Sequence, residues 1–142
     1  MSTLTLISCS KVKLPVSEAP AGELYSSSLF RKARAYAEHL GDEWGVLSAK
    51  YGLLNPDDVV PNYDLTLNDL SKEDRNAWAY GVASDIIDHH SEIKMLVLLA
   101  GRNYVEPLVD ILSSAAPHIL IHQPLKGLQI GERLRYLSEV VA

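Results

Sequence analysis

The sequence predicts a single α/β domain in three layers, with a mostly parallel sheet of about four strands between flanking helices. Strand-like and helix-like segments alternate along the 142 residues, an order that is typical of α/β domains. The run from Met95 to Ala100 is entirely apolar, which indicates a central parallel strand buried on both faces. We see no repeat, low-complexity tract or linker, so residues 1–142 are predicted to form one domain.

The first half of the chain predicts two strands and a helix. Residues 3–8 are β-branched and apolar and predict a buried first strand, and residues 44–48 predict a short second strand. Residues 9–26 include two prolines and a glycine, which excludes a continuous helix. A helix is predicted from Ser27 to a stop at Gly41. Its buried face is predicted to carry Phe30, Ala33, Ala37 and Leu40.

A long loop is predicted between the second strand and Asn68, and a second helix follows it. Ser71 and Asp74 resemble a capping box with Asp in place of the usual Glu, and the helix is predicted to end near His89 and His90. Its predicted apolar positions are Trp78, Val82 and Ile86.

The last third of the chain predicts two strands and two helices. Residues 94–100 predict a strand, and Asn103 with Glu106 is a cap-like pair that opens the next helix. Residues 117–122 predict a fourth strand, and residues 127–131 lead into the last helix. The positions predicted to face inward are Leu108, Ile111 and Leu112, then Leu134, Leu137 and Val141. Together these elements predict a Rossmann-like fold, in which ligands bind beyond the carboxyl ends of the strands near a topological switch point.

Composition and charge restrict the classes of function. The chain has 13 Lys and Arg against 18 Asp and Glu, which gives a formal net charge of −5. An acidic balance disfavours non-specific nucleic-acid binding, which depends on many cationic contacts to phosphate. Arg31, Lys32 and Arg34 nevertheless form a short basic patch on the first helix, which is either a solvated face or a local nucleic-acid contact.

The single cysteine and the short apolar runs restrict where in the cell we expect the protein to be. One Cys excludes an intramolecular disulfide and a multi-cysteine metal site. The chain start lacks the pattern of a secretory signal, and the longest apolar run is far below the roughly 20 residues that cross a bilayer. We therefore expect a cytoplasmic protein with no membrane contact. No cluster of His, Cys and carboxylates has metal-ligand spacing, so we expect neither a metal nor a cofactor.

Cys9 is the first candidate for chemistry. It follows the predicted first strand, and Lys11 and Lys13 come just after it, where their ammonium groups would favour the nucleophilic thiolate form. We therefore predict Cys9 and Lys13 as catalytic residues, with Ser8 and Ser10 as ligand contacts. The alternatives for the cysteine are a pocket wall without a nucleophilic role and a small core residue.

Hydroxyl groups gather where the first helix begins. Tyr25 and Ser28 are predicted ligand contacts, because hydroxyls and a helix N-terminus can together hold an anion such as phosphate. Serines at this place can instead cap the free N–H groups of the helix, and both roles can coexist through different serines.

The loop after the second strand carries the densest set of candidate residues. A loop of this length is uncommon in a compact domain and is often functional. Ser48 and Lys50 are predicted ligand contacts, with Lys50 as a point charge for phosphate or carboxylate. Tyr51 and Tyr63 offer ring faces to a base, and Asp64 is predicted to be catalytic. The alternative is an ordered loop held by packed tyrosines and a turn.

Two further segments at predicted strand ends are candidates. Gly101 permits close approach of the backbone between a strand and a helix, and Tyr104 follows it, so both are predicted ligand contacts. Gly127 is also a predicted contact, in a segment that is either an anion-binding loop or a flexible turn.

Four segments together resemble a known family. They are Leu6–Lys11, Leu47–Pro56 with Pro61–Asp64, Leu99–Tyr104 and Pro124–Gly131. The set is similar to an uncharacterised bacterial and phage domain family related to the peroxide-stress protein family YaaA. Its most specific part is the Tyr-Gly-x-Leu-x-Pro…Tyr element that begins at Tyr51. The resemblance implies a protein that limits oxidative damage to DNA and binds DNA.

A second resemblance is to the catalytic domain of archaeosine synthases. Cys9 and Lys13 keep the Cys-x3-Lys spacing of that domain, and Tyr25 and Ser28 keep its Tyr-x2-Ser spacing. That family adds an amine to a nitrile on a deazaguanine base in transfer RNA. The resemblance implies a pocket that holds a nucleobase or a nucleotide.

The combined expectation is a nucleotide- or nucleobase-binding domain that acts as an enzyme of nucleotide or base modification. Cys9 or Asp64 would be the reacting group, and Lys13 and Lys50 would hold phosphate or stabilise developing negative charge. The three tyrosines expected to shape the base site are Tyr51, Tyr63 and Tyr104. One alternative is a non-catalytic stress protein that binds nucleic acid or senses nucleotides, and another is a structural interaction protein.

Overall fold

The computed structural model describes residues 3–40 and 42–141, which contain seven strands, five α-helices and a 3₁₀ helix at Leu67–Asp69. The strands are β1 (Thr3–Ser8), β2 (Glu18–Pro20), β3 (Glu43–Ser48), β4 (Gly52–Leu54), β5 (Val59–Pro61), β6 (Met95–Leu99) and β7 (Leu120–His122). The helices are α1 (Ala21–Leu24), α2 (Ser28–Leu40), α3 (Lys72–His89), α4 (Arg102–Ala115) and α5 (Ile130–Val141). None of these helices is long and apolar enough to span a membrane.

Five strands form the central sheet in the order β4-β3-β1-β6-β7. β1, β3, β6 and β7 are parallel, and β4 pairs antiparallel with β3. Helices α2 and α5 pack together on one face, and α3 and α4 pack together on the other. The predicted three-layer, mostly parallel, Rossmann-like fold is confirmed, with five strands in place of about four.

The central strands are apolar because both of their faces are covered. In β1, Leu4 and Leu6 pack into the core under α3 and α4, whereas Ile7 packs into the core under α2 and α5. In β6, Leu98 and Leu99 divide between the same two cores. Burial on both faces is typical of a parallel sheet, and it explains why these strands read as continuous apolar runs.

The segment predicted as a long loop contains two short strands, so that prediction is wrong at β4 and β5. β4 returns along β3 after a turn at Gly52, whose φ of 76° lies in the left-handed region that glycine accommodates. β5 pairs with β2 in a separate two-stranded sheet. The fourth strand is also shorter than predicted, because a turn closed by the Ile119 N–H and the Ala116 carbonyl precedes β7.

Two helix starts are as predicted. Ser27 Oγ accepts a backbone N–H in front of α2, and Ser71 Oγ accepts one in front of α3, each at 3.1 Å. The last turn of α2, residues 38–40, is exposed throughout, so the predicted place of Leu40 on the buried face is wrong. The predicted stop at Gly41 lies outside the described residues.

The start of α4 differs from the prediction. Arg102 is its first residue and Gly101 is its N-cap, so Asn103 and Glu106 do not form the predicted cap. The Asn103 side chain donates to Asn68 Oδ1 at 2.6 Å, and Glu106 accepts from Arg102 at 2.6 Å. Because both side chains bond to other side chains, neither is available to the first turn of the helix.

Gly45 in β3 has no room for a side chain. A Cβ there would lie 2.9 Å from the Leu54 carbonyl oxygen and 3.3 Å from the Leu6 side chain. We expect Gly45→Ala to lower the free energy of unfolding by about 1–3 kcal/mol, because the backbone of β4 must shift. Urea unfolding measures this change.

Gly81→Ala in α3 is the control for that variant. A Cβ at Gly81 meets nothing within 4 Å, and the position is exposed within a helix. Alanine should therefore raise the free energy of unfolding by about 0.5–1 kcal/mol. Wild-type stability in Gly45→Ala would contradict the crowding between β3 and β4.

Candidate functional site

The switch point of the sheet lies between β1 and β6. The chain passes from β1 through α2 to β3 on one side of β1, and it later returns through α3 to β6 on the other side. Cys9 follows β1 directly, and Gly101 is the second residue after β6. In open α/β sheets, ligands bind in the crevice at such a point, beyond the carboxyl ends of the strands.

The Cys9 thiol is half-buried at this point and contacts a phenol. Its Sγ lies 3.2 Å from the hydroxyl oxygen of Tyr104 on α4. The Cys9 backbone N–H donates to the Leu47 carbonyl at 2.9 Å, which ties the residue to β3. Its side chain packs against the cores on both faces of the sheet, which holds the thiol at the carboxyl end of β1.

The Tyr104 hydroxyl is held in place from several sides. Its oxygen accepts the backbone N–H of Leu67 at 3.4 Å, and its ring meets Trp78 edge to face with centroids 5.5 Å apart. Burial, with a contribution from the nearby Cys9 thiol, raises the pKa of Tyr104 well above its usual range. Tyr104 therefore stays protonated at neutral pH and can donate its hydrogen to the sulfur of Cys9.

Three hydroxyl groups form a chain beside the thiol. Tyr63 Oη lies 2.8 Å from Ser48 Oγ and 2.6 Å from Tyr25 Oη. Ser48 Oγ already accepts the backbone N–H groups of Lys50 and Tyr51, at 3.3 and 3.0 Å. Because those two bonds use the acceptor capacity of the serine, its own hydrogen goes to Tyr63. Tyr25 ends this chain inside the core under α2 and α5, with 2% of its surface exposed.

Burial keeps the phenols of this chain neutral. Burial, partly offset by the hydrogen bond with Tyr63 and reinforced by the nearby Cys9, raises the pKa of Tyr25 to about 12. Burial is also the largest cause that raises the pKa of Tyr63 well above its usual range, followed by the charge of Cys9.

Lys13 lies on the tyrosines. Its ammonium nitrogen is 4.5 Å from the ring centroid of Tyr63 and 5.7 Å from that of Tyr25. The ammonium therefore covers part of one Tyr63 face, and the Tyr51 ring meets Tyr63 edge to face at 5.3 Å. The Lys13 ammonium and the Tyr51 ring therefore leave less of the Tyr63 ring face for the base stacking that the sequence predicts.

A small cavity opens beside Cys9 at the switch point, with a volume of about 50 Å³. Its polar and glycine lining consists of Ser8, Cys9, Ser10, Ser27, Gly101 and Arg133. A Cβ on Gly101 would meet no atom within 4 Å, so the glycine leaves this space open. Since a water needs roughly 10–15 Å³ of such volume, the cavity holds only a small part of a ligand.

The structure separates several predicted site residues from this group. Asp64 is exposed and, among the described residues, makes no side-chain hydrogen bond or salt bridge. Lys50 is exposed, with its ammonium 5.4 Å from the centroid of Tyr51. Ser28 is the exposed first residue of α2, and Gly127 lines a different cavity.

Sequence reasoning missed three residues of the site. Ser27 caps α2 as one of the two serines expected there, but it also lines the cavity, whereas only Ser28 was predicted as a ligand contact. Trp78 donates its indole N–H to the Ser48 carbonyl at 2.8 Å, although helical spacing marked it only as an apolar position. Arg133 reaches the cavity because α5 packs beside α2, a long-range contact that carries no local signal.

The basic patch of α2 is largely engaged within the protein. Lys32 donates to Ser138 on α5, and Arg34 donates to the Gly22 carbonyl and pairs with Glu38. Arg31 is exposed. These bonds favour a structural role for the patch over contact with nucleic acid. Within the described residues, no group of three or more His, Cys, Asp or Glu is placed to hold a metal ion.

Tyr25→Phe tests the hydroxyl chain by its pH dependence. The pKa of Tyr25 is raised in the folded state, so its contribution to stability is complete below pH 10 and is lost as the pH rises through about 12. The stability difference between the wild type and Tyr25→Phe should therefore shrink between pH 10 and 12 in urea titrations. Tyr80→Phe is the control, because Tyr80 is 65% exposed. A Tyr25→Phe difference that is constant with pH would contradict a neutral, buried phenol.

Comparison with known proteins places the chain in a family. The sequence profile of the family of unknown function DUF6884 matches residues 4–139. The chain is 32% identical over 154 residues to the uncharacterized protein YfjM of Bacillus subtilis (strain 168), covering 99% of this chain and 96% of that protein. No solved structure shows significant similarity to it. Because the profile spans nearly all of the described domain, the chain belongs to the DUF6884 family.

Proposed function

We propose that the protein binds a nucleotide or nucleobase at the switch point between β1 and β6 and modifies it, with Cys9 as the reacting group. The observation that carries this proposal is the half-buried thiol that lines a cavity there and lies 3.2 Å from the Tyr104 hydroxyl. Thiols are nucleophiles, and hydroxyl donors held beside the sulfur can position it and stabilise charge.

The chemistry that suits this group is addition to an electrophilic carbon of a base. The sulfur forms a bond to the carbon of a carbon–nitrogen multiple bond, the electron pair moves to nitrogen, and the thiol proton ends on that nitrogen. The step needs no oxidant or reductant. The Tyr104 hydroxyl, 3.2 Å from the sulfur, positions the thiol for this step.

The resemblances found in the sequence are consistent with this proposal. Cys9, Tyr63 and Tyr104 belong to the segments similar to the YaaA family, and Cys9 and Tyr25 belong to the motif similar to archaeosine synthases. Side-chain hydrogen bonds link Cys9 to Tyr104 and Tyr25 to Tyr63. Asp64 has no part in the proposal, because it is exposed away from these contacts.

Ligand-induced thermal stabilisation tests the proposal. The wild type should gain stability from one class among ribonucleotides, nucleosides, nucleobases and deazapurines, by about 2.7 kcal/mol at a ligand concentration 100 times Kd. Gly101→Val should fold normally, because the space beside Gly101 is open, yet lose the stabilisation because valine fills the cavity. Gly81→Ala should keep it. Stabilisation that survives Gly101→Val, or none from any class, would count against this site.

A further inference from the structure

A second, larger cavity adjoins the one beside Cys9. It has a volume of about 350 Å³ and lies between the start of α4, the carboxyl ends of β6 and β7, and residues 123–127. Ala100, Leu125 and Arg133 line both cavities, so the two share a wall. The cavity beside Cys9 is too small for a whole ligand, whereas the larger one falls in the lower range of ligand pockets, which begins at about 300 Å³.

The larger cavity is cationic. Arg102, Lys126 and Arg133 line it with three positive charges, and Glu106 lines it with one negative charge, which leaves a formal excess of two positive charges. The lining of this cavity is therefore positively charged, although the chain as a whole has a formal net charge of −5. Local positive charge in an acidic protein, concentrated in a concave site, selects an anionic ligand.

Both arginines of the larger cavity are already oriented by the protein. Arg133 Nε donates to the Leu128 carbonyl at 2.9 Å, and Arg102 Nε donates to Glu106 at 2.6 Å. Among the described residues, both guanidinium groups make hydrogen bonds through Nε only, so their terminal nitrogens are available to a ligand. A planar guanidinium with two such donors matches the oxygens of a phosphate in a bidentate arrangement.

We propose that this cavity is a phosphate subsite, so that the substrate is a phosphorylated nucleoside rather than a free base. The inference rests on the proposed function at Cys9. The phosphate lies among Arg102, Lys126 and Arg133, and the reacting group of the ligand reaches past Arg133 to the thiol. The apolar part of the larger cavity, at Leu98 and Val105, takes the remainder of the ligand.

Titration calorimetry with matched ligand pairs tests the subsite. The probes are the four ribonucleoside 5′-monophosphates, the corresponding nucleosides and inorganic pyrophosphate. One monophosphate should bind the wild type at least ~10-fold more tightly than its nucleoside, as expected for charged hydrogen bonds. Lys126→Gln and Arg102→Gln should each weaken the monophosphate about tenfold and leave the nucleoside unchanged. Lys94→Gln changes the net charge equally, beside the amino end of β6, and should leave both unchanged.

The outcomes separate the two proposals. Equal binding of nucleoside and monophosphate, unaffected by Lys126→Gln, overturns the phosphate subsite and leaves the site at Cys9 standing. Pyrophosphate binding that is weakened by Lys126→Gln but not by Lys94→Gln, without nucleoside binding, supports the subsite and counts against the nucleobase site. Absence of binding by every probe overturns both.

Discussion

Leu6→Ala is expected to lower the free energy of unfolding by about 2–5 kcal/mol. Leu6 is fully buried at 0% exposure in the middle of β1, where its neighbours across the sheet are Gly45 on β3 and Leu98 on β6. Truncation removes apolar contacts and leaves a cavity, and the surrounding sheet can collapse only partly because strands on both sides hold β1 in register. The measurement is urea or thermal unfolding followed by circular dichroism.

Leu120→Ala is the matched control for Leu6→Ala. The same substitution on β7 removes a side chain that is 68% exposed at the edge of the same sheet. Its effect should stay within about 0.5 kcal/mol, as for most surface substitutions. If the two variants lost similar stability, β1 would not be the centre of the packed sheet.

The fold was predictable where burial leaves a signature in the sequence. β1 and β6 are buried on both faces, so their apolar runs indicate central strands without any knowledge of the neighbours. β4 and β5 have three residues each, too few to show an alternating pattern. Their pairing depends on the turn at Gly52 and on β2, a partner about 40 positions earlier in the chain.

The site was predictable at the level of strand ends and unpredictable at the level of side-chain partners. Cys9 and Tyr104 lie 95 residues apart in the chain, and their contact follows from the adjacency of β1 and β6 in the sheet. The rule that ligands bind at carboxyl strand ends brought both residues to one edge. That rule could not show that Lys13 lies on the Tyr63 ring, or that Asp64 is exposed, because loop conformation decides both.

Lys13 shows most clearly that spacing in the sequence does not determine which side chains are in contact. In the sequence, Lys13 stands four positions from Cys9 and is expected to act on the thiol. In the structure, the Lys13 ammonium donates to the Lys11 carbonyl at 3.4 Å and lies against the tyrosine rings. The group that contacts the sulfur is the Tyr104 phenol instead, a neutral hydroxyl supplied by α4. The role of the thiol is therefore best tested by substituting Cys9 itself.

Cys9→Ala is expected to abolish turnover of the nucleotide that stabilises the wild type, by about 10³-fold or more, because the nucleophile of a covalent mechanism has no substitute. The ligand-induced thermal stabilisation should persist, since the cations that line the larger cavity remain. Intact-mass spectrometry of the wild type with the same ligand should show an adduct at Cys9 that the variant lacks. Ser113→Ala, at an exposed position on α4, is the control variant and should keep both the turnover and the adduct of the wild type. Full turnover by Cys9→Ala would reduce the cysteine to a pocket wall and leave a binding site whose chemistry lies with the phenols.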